Sequence, residues 1–287
     1  MNLPHRSIVT RSVWSWNLEV EFELIRSIIT SFPLISMDTE FPGVIVHSNR
    51  TFRKAEDNYA VLKANVNCLH LIQVGLTLSD SEGNLPNLGT SNHFIWEFNF
   101  CDFDVTRDLH APDSIALLRR QGIDFEMNRR FGIDTVRFAE LMKYFRLVCN
   151  NNIQWITFHG AYDFGFLVKA LTRRVLPEDG NYFLRLVKAF FGVRVYDVKH
   201  LMRFCPNLYG GLDRICQSLN LERLVGKSHQ AGSDSLLTLH AFKKIKDIYF
   251  DKENDSSMVK YAGVLYGIEP RQESVVRVLF LSKQGLN

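Results

Sequence analysis

Along residues 17–30, NLEVEFELIRSIIT, the apolar positions Leu18, Phe22, Ile25 and Ile29 recur at helical spacing with glutamates between them, which predicts an amphipathic helix. After Pro33 the pattern shortens into compact apolar runs. LISMDTEF, LHLIQVGLTL (69–78) and HFIWEFNF (93–100) predict three buried strands, and the turn-rich SDSEGNLPNLGTSN joins the last two as an antiparallel hairpin. From about residue 113 the spacing turns helical, including DTVRFAELMKYFRLVC (134–149), until IQWITFH (153–159) restores a short strand. Gly160 breaks that strand. A helix over AYDFGFLVKALT follows, with Phe164, Leu167, Val168 and Leu171 on one stripe, then helical YFLRLVKAFF, a strand VRVYDV (193–198), a helix over GGLDRICQSLNL and a long helix over about 233–250. Strands interleaved with helices in this way predict an α/β fold, a mixed central β-sheet flanked by α-helices. The last stretch, RQESVVRVLFLSKQGLN, fits a closing strand, a helix or a tail.

Composition narrows this picture without redirecting it. With 287 residues, 46% of them hydrophobic and 12% aromatic, the chain can bury one substantial core. Five cysteines (Cys68, Cys101, Cys149, Cys205, Cys216) are scattered without a CxxC pair, so neither a disulfide framework nor a zinc site is expected. The N-terminus lacks the apolar core of a signal peptide and no run is long enough to span a bilayer, which predicts a soluble intracellular protein with no membrane contact. A net charge of +3 falls far short of what gripping a long duplex requires. The basic pairs Arg129-Arg130, Arg173-Arg174 and Lys243-Lys244 read as solvated helix faces.

The candidate chemistry lies in carboxylates. Phosphate-loop, nucleophile-elbow, HExxH and EF-hand motifs are all absent. In SMDTEFPG (36–43), Asp38 and Glu40 are two apart on a predicted strand, so both point to one side, where like charges repel unless a cation relieves them. Asp163 opens a helix just after the strand ending at His159. Asp234, Thr238, Ala241, Ile245 and Ile248 form the buried stripe predicted for the last long helix. Singly, each acid fits a helix cap or a first-turn partner of the helix dipole. Together they fit a set of hard oxygen donors, suited to two Mg²⁺ or Mn²⁺ ions about 3.5 to 4 Å apart in the clamp used for phosphoryl chemistry. His229, five positions before Asp234, is close enough in sequence to join them.

DTEFPG, FHGAYDFG, YDVKHLM, NLYGGL and HQAGSDSLLT occur in the order and spacing of a known family. The chain resembles the CAF-type deadenylases, catalytic nucleases of the CCR-NOT complex, from about residue 12 to about residue 267. That family belongs to the DEDD exonucleases, RNase H-like and related to RNase D, in the form whose third motif carries histidine. The resemblance implies one ribonuclease domain over 1–268 and a C-terminal tail, 269–287. It implies Asp38, Glu40, Asp163 and Asp234 as metal ligands, His229 as general base, and Asp197 behind them in a supporting place. The implied activity is 3′-to-5′ removal of poly(A) from mRNA with release of 5′-AMP, without a small-molecule cofactor. The implied partners are the poly(A) tail, a scaffold subunit and a second deadenylase of the CCR-NOT complex, in cytoplasm and nucleus. Phe41, His159 and Phe164, flanking the acids, are candidate substrate contacts, and Phe41 fits equally a core phenylalanine on the opposite strand face. Two positions depart from the family pattern: Ala161 stands where glycine is usual in the second motif, and Tyr209 where a basic residue or histidine is usual. A scaffold that docks other subunits without turnover, or an exonuclease acting on other nucleic acid, remain alternatives.

Overall fold

In a computed structural model that describes residues 7–47, 55–250 and 258–269, strand β1 (Ile8–Val13) leads into helix α1 (Leu18–Ile28), which buries Leu18, Phe22 and Ile25. Strand β2 (Leu34–Glu40), helix α2 (Ala55–Cys68) and the hairpin of β3 (Gln73–Ser79) and β4 (His93–Asn99) follow. Next come α3 (Pro112–Gln121), α4 (Phe125–Phe131) and α5 (Thr135–Tyr144). Proline at its first turn and Gly122 at φ +107° bound α3, while the Asp124 and Asp134 side chains cap α4 and α5 by accepting from Met127 N–H and Arg137 N–H. Strand β5 (Gln154–Thr157), helices α6 (Ala161–Thr172) and α7 (Gly180–Phe191), strand β6 (Val195–Asp197) and the short helices α8 (Val198–Leu201) and α9 (Leu212–Ser218) precede the long α10 (Ala231–Tyr249).

The strands form one sheet in the order β1-β4-β3-β2-β5-β6. Only β3 runs against the others, so the sheet is mixed and the carboxyl ends of five strands share one edge. Alternation then sorts the side chains. Ile35, Met37, Val74, Leu76, Trp96 and Phe98 join the core under α1, α2, α5, α6 and α7. The opposite face, with Ile95 and Ile156, packs on α8, α9 and α10. Asp38 and Glu40 belong to that second face, at the carboxyl end of β2, where open α/β sheets collect their ligands.

The sheet and its flanking helices match the sequence expectation, with local differences. Strand β1 and helix α2 were not anticipated. β1 is an edge strand of half-exposed residues, and α2 buries the polar Asn65 in its inner stripe, where its side chain bonds the backbone of Val46 and Val61. Strand β3 begins at Gln73, not at the preceding leucines. Ile248 is 51% exposed, because the packed face of α10 runs on from Ile245 to Tyr249, one helical turn later, and leaves Ile248 to one side of it. The stretch beyond residue 269 lies outside the described residues.

Candidate active site

Gly75 is the residue that lets this site assemble. It lies between Asp38 on β2 and Glu97 on β4 in one row across the sheet. A Cβ there would stand 1.8 Å from the carbonyl oxygen of Ala231, so the bare backbone admits the first turn of α10 directly onto the sheet. Around that contact Gly232 N–H donates to Glu97 Oε2 at 3.2 Å, and the hydroxyls of Thr77 and Ser235 bond at 2.8 Å. Asp234 is thereby brought down beside Asp38 and Glu40.

Asp163 arrives from the other face. Gly160 starts α6 where a Cβ would meet Thr157 Oγ1 at 2.1 Å, and the Thr39 hydroxyl donates to Asp163 Oδ1 at 2.5 Å. The turn is clamped by Asp197, whose buried carboxylate accepts from the backbone N–H groups of His159, Gly160, Lys199 and Tyr266. Asp197 therefore positions the residues that carry Asp163, and does not itself face the cleft.

His229 sits in a loop at φ +60°, a left-handed conformation uncommon for a residue with a side chain and frequent at functional sites. Its N–H donates to Asp234 Oδ2 at 2.8 Å, and its Nδ1 lies 3.8 Å from Glu40 Oε1. Glu40, His229 and Asp234 offer ligand atoms all within 4.8 Å of one another. Arg223, which sequence reasoning missed, holds this corner. Its guanidinium lies 2.7 Å from Asp234 Oδ1 and 2.7 Å from Asp213 Oδ1, and Asp213 accepts from Ser228, the neighbour of His229.

Asp38, Glu40, His229 and Asp234 line one cleft of about 580 Å³, walled by Phe41, by Leu117 and Leu118 of α3, and by the start of α9. That volume accommodates a small ligand or one nucleotide unit. Burial, and then the charges of Asp234, Asp163 and Glu40, push Asp38 well above the ordinary carboxylate range. Glu40 is raised by burial, then by Asp234, Asp163 and Glu97. Burial lifts Asp163 to about 7, and raises Asp234 against the opposing pull of Arg223. Among the described residues no donor bonds the Asp38 carboxylate, and Glu40 has only the distant His229 ring. Closely spaced carboxylates with so few donors are relieved by protonation, as their raised pKa values record, or by a cation, and an oxygen-rich donor set fits Mg²⁺ or Mn²⁺.

One of the candidate substrate contacts is corrected by this geometry. Phe164 is fully buried, edge-on to Phe191, because it faces inward from α6 and not toward the cleft. His159 is exposed beside the cleft-lining Phe158, with its ring edge-on to Tyr266 and its backbone at φ +61°. Phe41 lines the cleft with its ring stacked on Tyr162 at 5.1 Å. The methyl of Ala161 is 3% exposed within the first turn of α6, a helical position where a side chain brings no backbone strain. Tyr209 is 62% exposed, with the Arg214 guanidinium 4.2 Å from its ring centre.

The family model described as CAF1 family ribonuclease matches residues 13–144. Probable CCR4-associated factor 1 homolog 7 of Arabidopsis thaliana is 50% identical over 276 residues, 96% of this chain and 98% of the relative. Poly(A) ribonuclease pop2 of Schizosaccharomyces pombe is 43% identical over 259 residues, 90% of this chain and 74% of the relative. The solved S. pombe Pop2p, in a form with Mg²⁺ and Mn²⁺ bound, superposes with a TM-score of 0.82 at 42% identity, covering 90% of this chain and 99% of that one. Yeast CAF1, co-crystallized with the NOT1 MIF4G domain, gives a structure that matches with a TM-score of 0.73 at 31% identity, over 93% and 99% of the two chains. Sharing sequence and fold with these proteins along nearly its whole length, the chain belongs to the CAF1 ribonuclease family.

Proposed function

We propose that the protein is a poly(A)-specific 3′-to-5′ exoribonuclease, an mRNA deadenylase that releases 5′-AMP. The observation that carries this reading is the convergence of Asp38, Glu40, Asp234 and His229 on one cleft, with Asp163 close enough to raise the pKa of Asp38 and Glu40 by its charge. The name of the S. pombe relative, a poly(A) ribonuclease, supports the choice of substrate.

Asp38, Glu40, Asp163 and Asp234 would hold two divalent ions, Mg²⁺ or Mn²⁺, as the S. pombe structure with both metals supports. Such ions, when bound, lower the pKa of water and offset charge on the attacking and leaving oxygens of a phosphodiester. His229, 47% exposed at the mouth of the cleft, takes the proton from the attacking water as general base. Glu40, facing the His229 ring, orients it. Arg223 fixes one oxygen of Asp234, and the His229 N–H fixes the other, so base and ligand keep one relative position. Phe41, packed on Tyr162 and Phe166 where it lines the cleft, is placed to contact the terminal base.

The proposal extends to partners and place. The relative named as a CCR4-associated factor and the yeast structure with the NOT1 MIF4G domain support a scaffold subunit with an MIF4G domain and a partner deadenylase. Among the described residues no helix is long and apolar enough to cross a membrane. The assembly would act in mRNA decay in cytoplasm and nucleus.

A 5′-labelled RNA ending in adenosines, incubated with the protein and Mg²⁺ or Mn²⁺, tests the reading. The expected result is a ladder shortening from the 3′ end, stalling at other bases, and absent with EDTA or with Asp38→Ala. Equal loss of a DNA tail or of a non-adenosine tail would move the substrate assignment to another nucleic acid. No shortening by a folded wild type would leave a docking subunit.

A further inference from the structure

The arginines of α3 and α4 lead away from the cleft toward an exposed aromatic stack. Leu117 and Leu118 of α3 wall the cleft, and Arg120 follows Leu117 by one helical turn on the same side. The Arg119 guanidinium lies 5.5 Å from the ring centre of Phe125, the residue that opens α4. At the far end of α4 the Arg130 guanidinium lies 5.3 Å from the Phe131 ring. Phe131 meets Trp16 edge-on at 5.5 Å, and Trp16 stacks on Trp14 at 5.7 Å with the planes 16° apart. The stack is built in advance: the N–H and the hydroxyl of Ser15 both donate to the Phe131 carbonyl at 2.9 Å.

Two features set this surface apart. Trp16 is 60% exposed and Phe131 41%, an arrangement costly for aromatic rings unless something covers them. Arg119, Arg120 and Arg130 are exposed and make no ion pair among the described residues, while Arg129 shares its charge with Glu126 at 2.9 Å. The stack also lies on the edge of the sheet that carries the acids. Glu40 faces Gln73, Gln73 faces Asn99, and Val13 faces Phe98, so Trp14 stands beside Asn99. Three strand spacings, ~14 Å, separate it from Glu40.

We propose that α3, α4 and the Trp14–Trp16–Phe131 stack form an extension of the substrate site that holds single-stranded RNA several nucleotides 5′ of the end being cleaved. The inference rests on the exoribonuclease reading above. Arginines without ion pairs that lead to the exposed rings of Phe131 and Trp16 match a polyanion with stackable bases, and the surface is continuous with the cleft wall. A protein partner would need acidic complements for the same arginines and gains nothing from that continuity. Because stacking tolerates every base, this surface contributes affinity and grip on long tails, not the choice of adenine.

The test separates binding from turnover. Wild type, Trp16→Ser/Phe131→Ser, Arg119→Gln/Arg120→Gln/Arg130→Gln and the conservative Trp16→Phe are compared on oligoadenylates of about four and about twenty nucleotides. For the long substrate the serine pair is expected to raise KM roughly tenfold with kcat unchanged, and Trp16→Phe to stay near wild type. For the short one neither constant should move. Fluorescence anisotropy of the labelled long oligomer in EDTA reads binding without cleavage. There the arginine variant should lower the slope of log Kd against log salt by about 0.7 per arginine engaged. Unchanged KM and Kd for the long oligomer, with wild type active, would overturn the inference, leave the exoribonuclease reading intact and assign the surface to a protein. A wild type that binds the long oligomer through these residues but never shortens it would remove the exoribonuclease reading while sustaining the binding site.

Discussion

At the scale of single residues, His229 and Arg223 divide the work of one corner. His229 has its backbone committed to Asp234 and its ring at the cleft, an orientation purchased with a left-handed φ. As a general base it should be dispensable for metal binding. His229→Ala is expected to lower kcat by roughly 10²-fold or more, with Mg²⁺ affinity by calorimetry close to wild type; a parallel collapse of affinity would reassign the ring to the metal. Arg223 is only 17% exposed and faces Asp234 at 2.7 Å. Arg223→Met strands a buried carboxylate, so the metal-free protein should lose about 3–5 kcal/mol in denaturant unfolding. Mg²⁺ should then raise its Tm more than it raises that of wild type, and an equal rise would mean that Arg223 does not balance Asp234. The acids were legible in the sequence because period two put Asp38 and Glu40 on one face and helical offsets put Asp163 and Asp234 on buried stripes. Arg223 was not, since a charged residue in LERLVGK has the spacing of any solvated loop, and only the fold reveals that it lies under α10.

Elements meet at this site through absences of side chains. Gly75 admits α10 to the sheet, and a methyl there would overlap the Ala231 carbonyl backbone, which cannot swing aside as a long side chain would. Gly75→Ala should therefore cost about 1–3 kcal/mol in stability and, by shifting the first turn of α10 and Asp234 with it, reduce activity by more than the loss of folded protein accounts for. Ala161 is the contrasting case. Its Cβ is buried in the first turn of α6, so Ala161→Gly should lower stability by roughly 0.5–1 kcal/mol and leave kcat/KM near wild type. A gain in activity on restoring glycine would mean that the methyl displaces Asp163. Sequence pattern located the central strands and the long helices because their apolar runs or stripes are continuous. It missed β1, whose edge position leaves Thr10, Arg11 and Ser12 among its residues, and α2, whose buried Asn65 interrupts the stripe. The contact of Gly75 with α10 could not be read at all, since it joins residues more than 150 positions apart.

The whole molecule carries the cost of concentrating acids at one edge of its sheet. Asp38, Glu40, Asp163 and Asp234 all have raised pKa values, with burial the largest cause in each. A carboxyl whose folded pKa lies above its unfolded one stabilises the fold below the ordinary carboxylate range. That contribution is lost as pH rises toward the folded value, about 7 for Asp163. The metal-free protein should thus weaken from these groups between about pH 4 and pH 7. His159, His200 and His240, whose pKa values are lowered chiefly by burial, act in the opposite sense below the ordinary histidine value, so the raw Tm is a poor readout. The difference between wild type and Asp38→Asn cancels the histidines. In EDTA, Asp38→Asn removes one charge from the repelling set, and its Tm should exceed that of wild type by more at about pH 8 than at about pH 5.5. With Mg²⁺ the order should reverse at the higher pH, because wild type gains the ion and the variant lacks a ligand for it. A pH-independent gap in EDTA would mean that Asp38 finds a partner or solvent in the metal-free fold, and the case for a cation among these carboxylates would fail with it.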